Sequence, residues 1–298
     1  MKRIVYILFL IFAFLFITYV IGGKRQTVIT NKIVTSKLDS IQNNLVTKKK
    51  FDEIKGSTTL TVNGIPVDII QNDSLFIGDI LVLPGWNFNR NIWCDSTDFC
   101  NLAKQKGYRL VLPEMGKSVY SSNFYPETRK DWIKYPNLTW VTDSLIPVLQ
   151  KKYGIFISKQ NYLLGLSTGA RGVILVGIRT DTLFKKAAVL SGDYDQTKMT
   201  NDNLIKGYYG LYSKFKSRWA QIDNPVHDCN KINFNLFIGH GKKDKVVPYS
   251  QSIELFDSIR KHNRGKNVTI SISEQHGHNF SYWRSETKNI LDFFDSND

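Results

Sequence analysis

From about residue 57 to its end, the chain alternates short apolar runs with longer stretches of helical periodicity. The runs lie at 80–83, 109–112, 162–166, 187–190, 234–238 and 268–272. Such short apolar runs are the signal of strands in a parallel sheet. Helix-like stretches fall between them at 95–106, 140–152, 170–179, 251–262 and 281–294. Ahead of these, 58–63 and 67–71 bracket Gly64-Ile65-Pro66 and read as two strands and a turn. The alternation predicts an α/β domain with a mostly parallel central sheet flanked by helices and ligands at the carboxyl ends of its strands. Residues 195–232 break the rhythm. With Tyr208, Tyr209, Tyr212, Phe215 and Trp219, they predict a short helical excursion near that end.

The first 25 residues follow a different pattern. Lys2 and Arg3 precede an uncharged apolar stretch, 4–21, followed by Gly22, Gly23, Lys24 and Arg25. That stretch exceeds the ~7–15 residues of a signal-peptide core and is long enough to span a bilayer. Val20-Ile21-Gly22 offers an imperfect cleavage site, so a cleaved signal and an uncleaved membrane anchor both stay open, with length favouring the anchor. Either one predicts an exported, extracytoplasmic protein, membrane-anchored or secreted, and the N-terminal segment is the part expected to meet the membrane. Residues 26–56 are polar and poor in aromatics and read as a stalk, leaving 57–298 as one catalytic domain.

Composition changes the picture in two places. With 42% hydrophobic and 13% aromatic residues in 298, the chain can bury one large core. Its formal net charge is +14, and +12 once Lys2 and Arg3 are set aside, which favours anionic surroundings such as lipid headgroups or acidic polymers. Nucleic acid is disfavoured because no basic run is interleaved with aromatics; Lys48-Lys49-Lys50 reads as solvated linker. Cys94, Cys100 and Cys229 allow one internal disulfide of undetermined pairing. No spacing of cysteines or histidines predicts a metal site.

The chemistry gathers at strand ends. Gly165-Leu166-Ser167-Thr168-Gly169 is a G-x-S-x-G pentapeptide between an apolar run and a helix-compatible segment. Alone it is a weak signal. In this context it predicts a sharp strand-to-helix turn that projects the Ser167 hydroxyl above the sheet as a nucleophile. A serine needs an imidazole to take its proton and a carboxylate to orient that imidazole. Asp244 follows the run 234–238 and is the expected acid, with Asp193 as second choice. His278, after the last run and beside Gly277, is the expected base; His276 competes, and His240 could support Asp244. The oxyanion needs two backbone N–H groups, assigned to Thr168 and, in the loop Pro84-Gly85-Trp86, to Trp86. Met115, Tyr120, Phe124 and Tyr125 are candidate pocket residues that would fill a core equally well.

The segments LVLPGWNFN, RLVLPEMG, YLLGLSTGARG, VLSGDYD, FIGHGKKDKVVP and EQHGHNFSYW together resemble the α/β-hydrolase superfamily. The likeness is to the esterase branch related to esterase D and the antigen 85 group. It covers roughly residues 60–295. The resemblance implies the α/β-hydrolase fold and a serine hydrolase acting through an acyl-enzyme, with no metal or organic cofactor. It also favours His278 over His276, because relatives often carry Gly-His followed by an aromatic residue and Trp, as Gly277, His278, Tyr282 and Trp283 do. Two departures stand out. Pro84-Gly85 replaces the His-Gly common at the oxyanion loop, and Arg171 occupies a position that is commonly small, where it either pairs with a buried carboxylate such as Asp193 or reaches solvent. The expectation is a carboxylic ester hydrolase for an acylated carbohydrate or a lipid ester. Acyl transfer by the same triad and a noncatalytic binding module are the alternatives. Peptide hydrolysis is disfavoured for want of a second, peptide-selecting domain.

Overall fold

In the computed structural model, eight strands form a single sheet, and its connectivity is what brings three distant loops to one edge. The structure describes residues 51–132, 135–262 and 267–296. The expected anchor, 1–25, and residues 26–50 of the expected stalk lie outside them. The strands are Thr58–Val62 (β1), Ile65–Ile70 (β2), Gly78–Leu83 (β3), Tyr108–Pro113 (β4), Asn161–Leu166 (β5), Lys186–Leu190 (β6), Asn235–Gly241 (β7) and Val268–Ser273 (β8). Their spatial order is β1-β2-β4-β3-β5-β6-β7-β8. β1 and β2 pair antiparallel and β2 runs antiparallel to β4; every pairing from β4 through β3 to β8 is parallel. The carboxyl ends of β3, β5, β7 and β8 therefore open on the same side.

Parallel neighbours require crossover helices, and these bury both faces. Helices are Ile92–Ser96 (α1), Phe99–Lys106 (α2), the stretch 137–153 (α3), Thr168–Arg179 (α4), Asn203–Tyr209 (α5), Lys216–Gln221 (α6), Ser250–His262 (α7), Phe280–Ser285 (α8) and Thr287–Asp295 (α9). Successive strand residues point to opposite faces, and the core divides accordingly. Leu81, Leu83, Val111 and Leu163 pack with Leu145 of α3, Val173 and Ile174 of α4, and Leu255 of α7. Ile80, Val82, Leu110 and Leu164 pack with Trp93, Phe99, Trp283, Ile290 and Phe294 from α1, α2, α8 and α9. Two-sided burial explains the apolar runs of β3 to β7, whereas the edge strand β8 is only partly buried. Asp52–Asp298 forms one compact unit.

Four local readings change. The first turn is Asn63-Gly64 alone, with both residues at positive φ (51° and 81°), so Ile65 and Pro66 belong to β2. A two-residue turn with both φ positive matches the twist of a hairpin, whereas a three-residue turn would slip the register. The expected helix at 95–106 breaks where Thr97 is extended, its Oγ1 donating to the Trp93 carbonyl at 2.6 Å and accepting from the Phe99 N–H. A disulfide between Cys94 and Cys100 spans this break, leaving Cys229 as the free, buried thiol. The terminal helix divides at Glu286. In α3, π-helical turns flank Ile146–Val148, where Pro147 has no N–H to give the preceding turn. Among the described residues, no helix is long and apolar enough to cross a membrane.

Candidate active site

Ser167 sits between β5 and α4 with φ 54° and ψ −129°, a strained backbone for a residue with a Cβ. The Ser167 N–H donates to the Leu190 carbonyl at 2.8 Å, and the Ser167 carbonyl accepts from Ala170. The turn is so tight that its flanking glycines are obligatory. A Cβ on Gly165 would lie 2.4 Å from the Gly169 carbonyl oxygen, and one on Gly169 would lie 2.3 Å from that of Leu83. Backbone atoms cannot swing aside as a side chain can, so the G-x-S-x-G spacing is a packing requirement here.

An imidazole and a carboxylate line up behind that hydroxyl. His278 follows β8 and precedes α8, whose N-cap Asn279 accepts from the Tyr282 N–H. Its Nε2 lies 3.0 Å from Ser167 Oγ, and its Nδ1 lies 2.6 Å from Asp244 Oδ2. A carboxylate oxygen can only accept, so Nδ1 carries the proton and Nε2 is left to accept from the serine hydroxyl. Trp283 meets the His278 ring edge-on at 5.2 Å and donates through Nε1 to Ser191. His276 points elsewhere, its Nδ1 2.7 Å from Ser273 Oγ. The structure thus brings Ser167, Asp244 and His278 together, and leaves out Asp193 and His276.

Asp244 is more heavily supported than its loop position predicts. Its side chain is fully buried. Oδ1 accepts the N–H groups of Val246 and Val247, each at 2.8 Å, while Oδ2 accepts from both His278 and His240, the latter at 3.2 Å. Burial alone would raise this carboxyl, but the His240 and His278 donors outweigh it and hold it well below the usual carboxylate range. His240, also fully buried, has Nε2 3.0 Å from the Val247 carbonyl and Nδ1 2.8 Å from Ser252 Oγ. Since both groups near Nε2 are acceptors, Nε2 bears the hydrogen and Nδ1 accepts from Ser252. The i,i+4 spacing of His240 and Asp244 hinted at this; nothing local pointed to Ser252.

The loop after β3 lies against the serine. A Cβ on Gly85 would come within 3.1 Å of Ser167 Cβ, and Tyr120 Oη donates to the Pro84 carbonyl at 2.8 Å. Trp86 packs edge-on against Trp132 at 4.5 Å, joining a separate aromatic cluster of Tyr125, Trp132, Tyr208, Tyr209 and Trp219. Gly85 of this loop thus packs on Ser167, and Thr168 opens α4 directly after it. Met115 and Tyr120, expected as pocket candidates, are instead fully buried core, because Gly172 of α4 leaves room for the Tyr120 ring.

Arg171 turns inward. Fully buried, it donates from Nε to Val119 O at 3.0 Å, from one terminal nitrogen to Asp193 at 3.3 Å, and from the other to Gln196, Tyr209 and the Asp223 carbonyl. It therefore fastens the excursion, now seen as α5, α6 and their flanking loops, to the helix that carries Ser167. Burial pushes the Asp193 carboxyl up to about 6 against the pull of Arg171. Arg171→Met strands that carboxylate. At pH 8 it should lower unfolding stability by about 3–5 kcal/mol, measured from urea midpoints, with part recovered on adding Asp193→Asn.

Among the described residues, no group of His, Cys, Asp or Glu could hold a metal ion. The arrangement is a proton path from a strained serine hydroxyl through an imidazole to a fixed, buried carboxylate. Solved structures share the fold, which is that of the α/β-hydrolases. Fluorophosphonate-binding serine hydrolase F of Staphylococcus aureus is 14% identical with a TM-score of 0.62, covering 82% of this chain and 100% of its own. An S-formylglutathione hydrolase from Agrobacterium tumefaciens is 12% identical with a TM-score of 0.64, over 82% and 97%. The Pyrococcus horikoshii acylaminoacyl peptidase is 15% identical with a TM-score of 0.61, over 83% of this chain but 42% of that one. No curated protein matches the sequence. Residues 99–297 match the prolyl oligopeptidase family.

Proposed function

This chain belongs to the prolyl oligopeptidase family and is a serine hydrolase, and we propose that Ser167, His278 and Asp244 form the triad of a carboxylic ester hydrolase. The observation that carries this reading is the unbroken chain from Ser167 Oγ to His278 Nε2 at 3.0 Å and from Nδ1 to Asp244 at 2.6 Å. Ser167 Oγ attacks the ester carbonyl as its proton passes to His278 Nε2. The Trp86 and Thr168 N–H groups hold the oxyanion. The alcohol leaves with the proton from Nε2, and water, deprotonated by the same nitrogen, releases the acid from the acyl-enzyme. Asp244 fixes the Nδ1–H tautomer and balances the imidazolium.

We assign the substrate to acylated carbohydrates or lipid esters outside the cytoplasm. Support comes from the apolar segment 4–21, the basic net charge and the Cys94–Cys100 disulfide, which persists in oxidising compartments. A second reading, cleavage of an acylated peptide or amino acid, is favoured by the family match and by the acylaminoacyl peptidase likeness. Rates on matched p-nitrophenyl ester and p-nitroanilide substrates separate the two, and transfer to an added alcohol reports acyltransferase activity.

The test of the triad is labelling of the full chain with a fluorophosphonate, the adduct being located by mass spectrometry. Labelling should fall on Ser167 and be lost in Ser167→Ala and in His278→Ala. A folded protein that takes no label would favour a noncatalytic binding module.

A further inference from the structure

The edge of the sheet opposite Ser167 is built unlike the rest of the surface. Leu75, Phe76 and Ile77, consecutive in the loop between β2 and β3, are 45%, 51% and 38% exposed, and Ile157, in the loop before β5, is 58% exposed. These two loops adjoin. Ile77 N–H donates to the Gly107 carbonyl, Asp79 N–H to the Gln160 carbonyl, and Arg109 lies over the Phe76 ring at 4.9 Å while reaching the Gly154 carbonyl. Soluble surfaces scatter such side chains singly, whereas a contiguous aromatic and aliphatic group marks a contact site.

Lysines stand at the helix ends and loop positions beside these loops. Lys104 and Lys106 end α2, Lys151 and Lys152 end α3, and Lys159 follows Ile157. The acids nearby are Asp52, paired with Lys152 at 3.5 Å, Asp295, paired with Lys106 at 2.6 Å, Asp79, paired with Arg109 at 2.6 Å, Glu53, paired with Lys55, and Asp73, which accepts from the Gly56 N–H. Lys104, Lys151 and Lys159 thus leave an excess of positive charge around an apolar centre. The compact unit also begins here, since Asp52 N–H donates to the Lys152 carbonyl and Ile54 O accepts from Gln71.

We propose that this edge is a second membrane contact, in which Leu75, Phe76, Ile77 and Ile157 enter the interface of an anionic bilayer and the surrounding lysines meet its headgroups. Apolar side chains framed by lysines suit the boundary between acyl chains and anionic headgroups, and the two attractions act together. The chain outside the structure argues for the same occupant: it carries an uncharged apolar stretch at 4–21 and joins the domain at this edge. β5 separates the patch from Ser167 by about 20 Å, at roughly 3.3 Å per residue, so the site opens away from the bilayer. The inference does not depend on the chemistry at Ser167.

The test uses the full chain reconstituted in vesicles of phosphatidylcholine, alone or with about 30 mol % phosphatidylglycerol. A polarity-sensitive fluorophore is placed at Ile157→Cys or, as control at the other end, at Val246→Cys, which is 60% exposed. The native cysteines are bridged or buried, so the introduced thiol takes the label. On anionic vesicles, doxyl-lipid quenching at 157 should exceed that at 246 by at least about threefold. The excess should vanish on neutral vesicles, in about 1 M salt where the Debye length is about 3 Å, and in the Leu75→Ser/Phe76→Ser variant. Equal quenching at the two positions, or the same excess on neutral lipid, overturns the proposal. So does shielding of position 157 in detergent that grows with protein concentration, which assigns the patch to a second copy of the chain.

Discussion

Ser167→Ala should lower kcat/KM for an activated ester by about 10⁴–10⁶-fold with the fold unchanged. The hydroxyl is the group to be acylated, and alanine occupies the same strained φ of 54° at no greater steric cost than serine. His278→Ala should fall in the same range, because without an acceptor 3.0 Å away the Ser167 proton has nowhere to go at neutral pH. The double variant should lose little more than either single one. Groups that act as one unit fail together, so a purely additive double loss would show that the two side chains serve separate roles. Thermal unfolding midpoints close to the parent would separate lost chemistry from lost structure, and the activity remaining in the double variant measures what the N–H donors and substrate binding contribute alone.

Asp244→Asn should cost about 10⁴-fold in kcat, with much less change in KM. Four donors converge on this carboxylate, from Val246, Val247, His240 and His278. An amide must turn its NH₂ toward one pair. If that pair is the imidazoles, His278 Nδ1 becomes an acceptor, Nε2 gains the hydrogen, and the base faces Ser167 with nothing to accept a proton. His240→Leu removes one charge-assisted donor of the four and should cost less, roughly 10–100-fold. The carboxylate also ties stability to pH. Its folded value lies below the unfolded 3.8, so the unfolded chain binds more protons on acidification. The stability it contributes is fully present above pH 3.8 and is lost as pH falls below it. The fall in urea midpoint over that range should flatten in Asp244→Asn, and an unchanged slope would mean that the carboxylate is not held as the geometry indicates.

Strands β3 to β7 and the helices between them were legible in the sequence, because a strand covered on both faces is largely apolar and a crossover helix must show one apolar face; the edge strand β8 was legible as an alternating Val-Thr-Ile-Ser-Ile run. The G-x-S-x-G turn was legible for a similar reason, since its glycines answer to backbone atoms only a few residues away. Chain order then placed Asp244 and His278 at strand ends, where the structure puts them beside Ser167. Other features needed the folded chain. The disulfide partner of Cys94, the choice of an inward course for Arg171 and its reach to Gln196, the packing of Trp86 on Trp132 and the Ser252 support of His240 all depend on which segments meet in the fold. At Met115 and Tyr120 the sequence could not tell core from pocket, because an apolar side chain looks the same in sequence whether it meets a helix or a ligand. Periodicity records which side of an element is dry. Which groups share that dry space, and so which donor meets which acceptor, depends on sheet order and on the room left at residues such as Gly85 and Gly172, and these exist only once the strands have paired.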